Sequence, residues 1–255
     1  MTPVRTLRVD RLAVEVYATR DEMGRAAAAR AVARLGTALD ITGAARVLFA
    51  SAPSQVEFLR ALADTPGIDW GRVTAFHVDE YLRVPAGAPQ AFGQFLRDHI
   101  FDRVHPGAVH FINGDAGAAA EIARYTGLLR AGPIDLACIG VGENGHIAFN
   151  EPGDTNFDDP ALLRVVTLND RSRRQQVNDG CFAALDEVPA EAITLTVPAI
   201  MRAAAVVCVV PGPSKRAAIA AMLHGPVSAA CPASALRRHP DAVLYADAES
   251  AAEAA

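Results

Sequence analysis

A histidine, an amide and a carboxylate occur together in one glycine-rich segment of the sequence, GVGENGHIAFNEPGD. His146 lies two residues after Asn144 and five residues before Glu151. An imidazole can transfer protons near neutral pH while a neighbouring group fixes its tautomer. A zinc site would need further histidine or cysteine ligands, which this segment lacks, and a purely structural turn would not need all three polar side chains. The segment therefore predicts a site for acid–base chemistry.

The same segment carries three glycines within six residues, Gly140, Gly142 and Gly145. Glycine has no Cβ, so it permits positive φ and lets the backbone approach a ligand closely. We therefore expect Gly142 and Gly145 to contact the substrate.

Two adjacent carboxylates end an apolar strand in the segment FHVDEY. The alternation of a strand places His77 and Asp79 on one face and Val78 and Glu80 on the other. A carboxylate held at a strand end is a candidate catalytic base. The alternative is that Asp79 or Glu80 only caps the following turn.

Two strand-to-helix junctions are candidates for binding an anion. The segment VPGPSKR contains Lys215, the only lysine of the chain, at the start of a predicted helix. Unpaired N–H groups and the helix dipole favour anions there, and an ammonium would complete the site. The alternative is a surface lysine with no role. The loop ASAPSQ offers Ser51, Ala52 and Ser54 for a phosphate, although Ser51 or Ser54 could instead cap the next helix.

The fold must bring these segments together. The sequence alternates between strand-like and helix-like patterns. Apolar strands are predicted at 46–50 and 134–140, and helical repeats at 22–39, 90–101 and 173–185. This alternation predicts a three-layer α/β fold, with a mostly parallel, Rossmann-like sheet covered by helices on both faces. Ligands bind such sheets beyond the carboxyl ends of the strands, at a topological switch point.

Length and composition restrict the class of protein. The 255 residues, 51% of them hydrophobic, fit one globular domain over 1–255 with its core at about 10–247 and a frayed tail over 248–255. The formal charge of −5 argues against nucleic-acid binding. We find no signal peptide and no apolar stretch of membrane-spanning length, so no membrane association and a cytoplasmic location are expected.

Four cysteines are widely separated and form no C-x-x-C pair. Cys138 and Cys208 lie in apolar runs that indicate buried strands, where a thiol behaves as a small hydrophobic group. The cysteines therefore predict neither a zinc site nor disulfides.

Taken together, the segments resemble the glucosamine-6-phosphate deaminase/isomerase family, whose fold is related to that of the 6-phosphogluconolactonases. The resemblance covers residues 10–247 and is carried by VTAFHVDEYL, IGVGENGHIAFNEPGD, LTVPAIMRAAAVVCVVPGPSKRAAI and CPASALRRHPDAVLYAD. The GHIAFNEP wording is specific to the deaminase branch, since the lactonases share only its glycine–histidine core.

The resemblance implies a role for several residues. Asp79 matches the base that moves a proton between C2 and C1 of the opened amino sugar. His146 matches the acid–base group of ring opening, Glu151 the carboxylate that orients it, and Lys215 a phosphate-binding lysine. The implied reaction converts glucosamine 6-phosphate to fructose 6-phosphate and ammonia. No metal or organic cofactor is expected, because positioned carboxylate and imidazole groups are sufficient for proton transfer.

The sequence also departs from the family pattern. The first phosphate loop lacks its usual glycine, and Asn144 replaces an aspartate found in some members. An arginine that often helps to hold the phosphate in the family finds no match: Asn178 falls near that position, although Arg171, Arg173 and Arg174 lie close in sequence. The particular sugar phosphate therefore stays open, as does a homo-oligomeric state. Two alternatives are a sugar-phosphate lactonase or isomerase that releases no ammonia, and a non-catalytic sugar-phosphate sensor. The sensor is disfavoured because the chain has no room for a DNA-binding segment.

Overall fold

In the computed structural model, which describes residues 1–252, strands and helices alternate along the chain. The strands are β1 (Arg5–Val9), β2 (Leu12–Tyr17), β3 (Ala45–Phe49), β4 (Val73–His77), β5 (Asp79–Tyr81), β6 (Ala108–His110), β7 (Leu136–Ile139), β8 (Leu163–Thr167), β9 (Glu191–Leu195), β10 (Ala205–Val210) and β11 (Ala242–Asp247). The helices are α1 (Arg20–Thr42), α2 (Val56–Asp64), α3 (Phe92–Leu96), α4 (Asp102–Val104), α5 (Ala118–Arg130), α6 (Asp170–Asn178), α7 (Val197–Ile200) and α8 (Arg216–His224).

Eight of these strands form the main sheet, in the order β1-β2-β11-β10-β7-β3-β4-β6. All neighbouring pairs are parallel except β1 and β2, which are antiparallel. From β3 the chain continues to β4 and β6 on one side, whereas β7, β10 and β11 lie on the other side. The order therefore reverses between β3 and β7, and a crevice is expected beyond their carboxyl ends.

Both faces of the main sheet are covered, because successive residues of its central strands point in opposite directions. In β3, Val47 and Phe49 are buried on the face covered by α1 and α2, and Leu48 is buried on the opposite face. Tyr125 of α5 and Met222 of α8 belong to that second face. Helix, sheet and helix thus form three layers, which confirms the predicted α/β fold.

The long helix α1 begins and ends where its sequence provides caps. Thr19 accepts a hydrogen bond from the N–H of Glu22 at 3.2 Å, so it is the N-cap that Ser, Thr, Asp and Asn commonly provide. At the other end Gly43 takes a positive φ of 79° and donates its N–H to Leu39 O at 3.1 Å. The helix is therefore longer at both ends than the predicted repeat over 22–39.

A second, antiparallel sheet in the order β5-β9-β8 was absent from the sequence-based expectation. It arises because the segment FHVDEY does not form one strand. The chain leaves the main sheet after His77, and Val78 joins the sheets by donating its N–H to Phe49 O and accepting the Leu195 N–H. Asp79 then begins β5 and pairs with Thr194. The predicted placement of His77 and Asp79 on one strand face is therefore wrong.

Two predicted helices have different bounds in the structure. The repeat over 90–101 is divided between α3 and a π-helical turn at Arg97–Phe101 that leads into α4. The repeat over 173–185 corresponds to α6, which begins earlier because the Asn169 side chain caps the N–H of Ser172 at 2.9 Å. It ends at Asn178 because Gly180 adopts a φ of 76°.

The ends of the chain contribute more to the fold than the sequence predicts. β1 extends the sheet to residues before the core predicted from about residue 10. Part of the predicted frayed tail is docked, since Asp247 Oδ1 accepts the N–H of Ser250 at 2.7 Å and Ala251 is buried. Arg5 Nη2 also donates to Ala251 O at 3.0 Å. Residues 253–255 of that tail lie outside the described residues.

Cys138 in β7 and Cys208 in β10 are free and buried, as the apolar patterns predict. Within residues 1–252, the four cysteines form no disulfide. No helix in this described part of the chain has the length and apolar character needed to cross a bilayer.

Candidate active site

A cleft opens beyond the carboxyl ends of β3, β7 and β10, at the place where the strand order reverses. Its empty volume is about 480 Å³, a figure that includes the space open to solvent at its mouth. The polar side chains that line it are Ser51, Ser54, Gln55, Asp79, His146, Gln175, Gln176 and Lys215. The fold thus brings residues from five separate segments to one cavity.

Asp79 is 6% exposed and lines this cleft from the start of β5. Its carboxylate forms no hydrogen bond or ion pair with another side chain or backbone group of residues 1–252. Burial raises the pKa of Asp79 well above its usual value, and the adjacent charge of Glu80 raises it further. When it is ionised, Asp79 is therefore a stronger base than an exposed aspartate.

Glu80 has a structural role, which was the alternative to a catalytic role for the carboxylates of Asp79 and Glu80. Its oxygens accept the N–H groups of Tyr81 and Phe92 at 3.0 Å and of Gly93 at 2.9 Å. Burial nevertheless raises the pKa of Glu80 to about 7, and these N–H groups only partly oppose that shift. Glu80 thus fixes the start of α3, where Phe92 lines the cleft.

His77, which was expected to share a face with Asp79, does not line the cleft. Its Nε2 accepts the N–H of Ile112 at 2.7 Å, and the ring contacts those of Phe111 and Tyr125. Burial lowers the pKa of His77 to about 3. His77 is therefore a neutral core residue rather than part of the site.

A tight turn places His146 against the backbone of the strand end. Gly142 donates its N–H to His146 O at 2.9 Å, and Gly145 donates to Gly142 O at 3.0 Å with a φ of 88°. A Cβ on Gly142 would lie 2.1 Å from Cε1 and Nε2 of the imidazole. Glycine at this position is therefore required for the ring to occupy its place.

The two glycines predicted to contact substrate differ in position. Gly142 lines the cleft, but Gly145 does not. A Cβ on Gly145 would lie 2.8 Å from Cys231 Sγ, and its carbonyl accepts the N–H of Ala233 at 2.9 Å. Gly145 thus packs the turn against the segment at 231–233, away from the cavity.

Two groups face Nδ1 of His146. Ser172 Oγ lies 3.3 Å from Nδ1, and Glu151 Oε2 lies 3.8 Å from it. The same Glu151 oxygen accepts the side-chain amides of Asn144 and Asn169, both at 2.8 Å. Glu151 and Ser172 therefore hold the inner edge of the ring, and Ser172 is a contact that the sequence reasoning missed.

Asn144 bonds the Glu151 carboxylate and the His146 backbone rather than the imidazole ring. Its Nδ2 donates to Glu151, and its Oδ1 accepts the backbone N–H of His146 at 3.1 Å. Asn144 does not line the cleft. It therefore positions the carboxylate and the turn without contacting the cavity.

The electrostatic setting keeps His146 neutral. Burial lowers the pKa of His146 to about 4, and the positive charges of Lys215 and Arg171 add to this, while Glu151 opposes the shift. A neutral imidazole has one donor nitrogen and one acceptor nitrogen. His146 can therefore both take and return a proton at neutral pH.

Lys215 ends the 3₁₀ turn Pro213–Lys215 that precedes α8. It is 5% exposed, lines the cleft and forms no ion pair within the described residues. Burial lowers the pKa of Lys215, although the charges of Asp179 and Glu143 partly oppose the shift. A buried cation without a direct counter-ion is costly, and an anionic ligand would offset that cost.

The loop after β3 faces the same cavity through Ser51, Ala52 and Ser54. Neither serine caps the 3₁₀ turn Pro53–Gln55 or α2, since neither start has a side-chain capping bond. Ser51 Oγ is buried without a hydrogen-bond partner in the structure, and Ser54 Oγ accepts from Gln55 Nε2 at 3.2 Å. This observation favours the anion-binding alternative over capping for Ser51.

The arginines near the phosphate position of the family do not line the cleft. Arg171 donates to Glu143 O at 3.2 Å, and Arg173 donates to Leu185 O at 2.6 Å. Arg174 is exposed, as is Asn178. α6 instead presents Gln175 and Gln176 to the cavity, and no sequence signal had singled out either residue.

Within residues 1–252, no group of three or more His, Cys, Asp or Glu side chains is arranged to hold a metal ion. The ionisable side chains that line the cleft are the carboxylate of Asp79, the imidazole of His146 and the ammonium of Lys215.

A family model for glucosamine-6-phosphate isomerases/6-phosphogluconolactonase matches residues 18–245. The chain belongs to this family. The matched range begins just after β2 and runs from α1 through most of β11, and it includes Asp79, His146 and Lys215.

Curated relatives of this family member include a glucosamine-6-phosphate deaminase of Bacillus thuringiensis (strain Al Hakam). It is 38% identical over 184 residues, which cover 72% of this chain and 68% of the relative. A solved monomeric glucosamine-6-phosphate deaminase is similar with a TM-score of 0.86 and 28% identity, covering 94% of this chain and 99% of its own.

The fold extends to lactonases. The 6-phosphogluconolactonase from Trypanosoma brucei is similar with a TM-score of 0.76, covering 98% of this chain and 100% of its own, at 18% identity. The structural similarity establishes a shared fold, and because the sequence identity is low the activity has to be argued from the site.

Proposed function

We propose that this protein isomerises and deaminates an amino-sugar phosphate, converting glucosamine 6-phosphate and water to fructose 6-phosphate and ammonia. The observation that carries the proposal is that Asp79 and His146 line one cleft together with Lys215. Aldose–ketose isomerisation needs a base, a proton shuttle and an anchor for the phosphate, and these three residues supply them. The 38% identical relatives named glucosamine-6-phosphate deaminase support the same substrate.

The phosphate binds at the end of the cleft formed by Lys215 and the loop with Ser51. The ammonium of Lys215 offsets part of the phosphate charge, and the free Ser51 hydroxyl is available to donate. Charge-assisted hydrogen bonds of this kind are roughly twice as strong as neutral ones. Binding here fixes the sugar relative to the groups that react.

His146 opens the sugar ring. Because Ser172 and Glu151 occupy the Nδ1 edge, Nε2 is the nitrogen left for the substrate. The neutral ring takes the proton of the C1 hydroxyl and returns one to the ring oxygen as the C1–O5 bond breaks. The pKa of about 4 keeps the imidazole in the form that can accept the first proton.

Asp79 then performs the isomerisation. Its carboxylate removes the C2 proton of the open aldehyde and delivers it to C1, and one amine proton passes to O1, so that C1 becomes CH₂OH as the C2–N bond becomes an imine. Water adds to the imine carbon and ammonia leaves, so one water is consumed for each ammonia released. The oxidation at C2 balances the reduction at C1 within the substrate. A carboxylate with a raised pKa is matched to removing a carbon-bound proton.

The Asp79→Asn substitution tests the proposal, because it keeps the shape of the side chain and removes the base. We expect wild-type protein to release ammonia from glucosamine 6-phosphate. Asp79→Asn should lower kcat by about 10²-fold or more, the contribution typical of a positioned base, and should retain substrate binding. Asp115→Asn, at an exposed position, is the matched control.

The same assay includes galactosamine 6-phosphate and 6-phosphogluconolactone as alternative substrates. Reaction in D₂O should place deuterium at C1 of the product, since the base exchanges its proton with solvent. Hydrolysis of the lactone without ammonia release from either amino sugar would refute the proposal, as would an Asp79→Asn protein with wild-type turnover.

A further inference from the structure

Gln176 of α6 is a buried polar residue whose side chain has no hydrogen-bond partner among the described residues. It is 7% exposed and lines the cleft, yet its amide makes no hydrogen bond with any group of residues 1–252. Only its backbone is engaged, as its carbonyl accepts the N–H of Cys181 at 2.9 Å. An amide in such a place is costly unless something else binds it.

The other two glutamines of the cleft are committed to the protein. Gln175 Oε1 accepts the N–H of Glu143 at 3.0 Å, and its Nε2 donates to Asp179 at 3.3 Å. Gln55 Nε2 donates to Val209 O at 3.1 Å. Among the glutamines that line the described cavity, Gln176 alone keeps its full hydrogen-bonding capacity for a ligand.

Gln176 lies at the end of the cleft that carries the anion-binding groups. It shares a small adjoining cavity with Ser51 and Ala52 of the first loop. One turn further along the chain, Asp179 is close enough for its charge to act on Lys215. The C-terminal part of α6 therefore faces the same subsite as Lys215 and Ser51.

A phosphate bound at this subsite would need neutral hydrogen-bond donors in addition to Lys215. A phosphate monoester carries a charge between −1.5 and −2 at about pH 7 and offers three acceptor oxygens. Within residues 1–252, Lys215 is the only cationic side chain that lines the cleft. One ammonium and the nearby backbone N–H groups leave acceptor positions of the three oxygens open, and free hydroxyl and amide side chains at the subsite can fill them.

We propose that Gln176 is a substrate-binding residue that donates its side-chain amide to the phosphate group and so determines the preference of the site for a phosphorylated sugar. The inference deepens the proposed function and rests on it for the identity of the sugar. The phosphate contact itself can be tested without turnover, by using inorganic phosphate as the probe.

The test compares Gln176→Leu and Gln176→Glu with wild-type protein. Leucine keeps much of the volume and removes the donor, whereas glutamate keeps the shape and adds a negative charge. Gln94→Leu is the matched control, because Gln94 lies outside the cleft and bonds only Asp98. The dissociation constant for inorganic phosphate is measured by calorimetry at one fixed ionic strength, and kcat and KM are measured on glucosamine 6-phosphate.

We expect Gln176→Leu to weaken phosphate binding by about 10-fold or more, the usual loss for a hydrogen bond to a charged group. Gln176→Glu should weaken it further, and Gln94→Leu should bind as wild type. KM should rise in parallel while kcat stays within about 3-fold, because the contact is made in ground and transition states alike.

Two results would overturn the inference. One is unchanged phosphate affinity in both Gln176 variants. The other is a fall in kcat with phosphate affinity intact, which would indicate that Gln176 supports the turn around His146 instead. Wild-type protein that fails to release ammonia while the phosphate series behaves as expected would refute the proposed function alone.

Discussion

Replacement of Gly142 by alanine tests whether the position of His146 controls the reaction. The new Cβ would lie 2.1 Å from Cε1 and Nε2 of the imidazole and 2.5 Å from Cδ2. Gly142 does not have a positive φ, so alanine fits its backbone conformation without strain. The perturbation is therefore a steric one and is directed at the ring.

The size of the effect follows from that overlap. The separation of 2.1 Å is about 1.3 Å short of the 3.4 Å at which ordinary contacts begin. The imidazole must therefore move by about 1 Å or more, and a misplacement of that size costs about 10²-fold in rate. This is equivalent to about 2.7 kcal/mol in the activation free energy. Because the proposed mechanism places His146 against the reacting atoms and Lys215 against the phosphate, the loss should fall on kcat.

The assay measures ammonia release from glucosamine 6-phosphate together with the affinity for inorganic phosphate. Gly127→Ala in α5 is the matched control, since a Cβ at that position meets nothing within 4 Å. It should leave turnover unchanged and add slightly to stability. A folded Gly142→Ala protein with kcat within about 3-fold of wild type would refute this reasoning, because it would show that turnover does not depend on the position that Gly142 gives to His146.

Three further predictions concern charge. Lys215→Ala should raise KM about 10-fold or more with a smaller change in kcat, because the phosphate contact is present throughout the reaction; a loss confined to kcat would contradict it. Glu80→Gln should move the acid limb of kcat/KM to lower pH, because its negative charge raises the pKa of Asp79 and the base is active only when ionised; a limb that stays in place or moves to higher pH would oppose this. Glu151→Gln should lower the pKa of His146 below about 4 in an NMR titration, since the Glu151 charge raises it.

Much of the fold could be predicted from local patterns. The apolar runs at 46–50 and 134–140 are recognised from neighbours in sequence, and the strands β3 and β7 lie at these places. The second sheet could not be predicted in this way. Its strand β5 has three residues and exists because it pairs with β9, more than 100 residues later in the chain. A pairing of such separation leaves no periodic signal in either segment.

The candidate site shows the same division between local and distant information. His146, Glu151 and Asp79 have chemical types and spacings that the sequence displays directly. Ser172 and Gln176 belong to a polar helix, and their importance depends on which face of α6 the fold turns toward the cavity. One local signal was available and was not used: the Asn169 cap fixes where α6 begins, and therefore which of its side chains share a face.

A comparison of the two helix starts at the cleft explains why the site carries so little positive charge. The segments APSQ and GPSK both follow a strand of the main sheet, form a 3₁₀ turn and continue into a helix, α2 or α8. At the last position of the turn one has Gln55 and the other has Lys215. Gln55 Nε2 donates to the carbonyl of Val209 at the end of β10, and this bond anchors the start of α2 to the sheet. Within residues 1–252 the Lys215 side chain forms no such bond, and the proposed function assigns it to the phosphate. The division predicts that Gln55 acts on stability and Lys215 on affinity, although the two residues occupy equivalent positions.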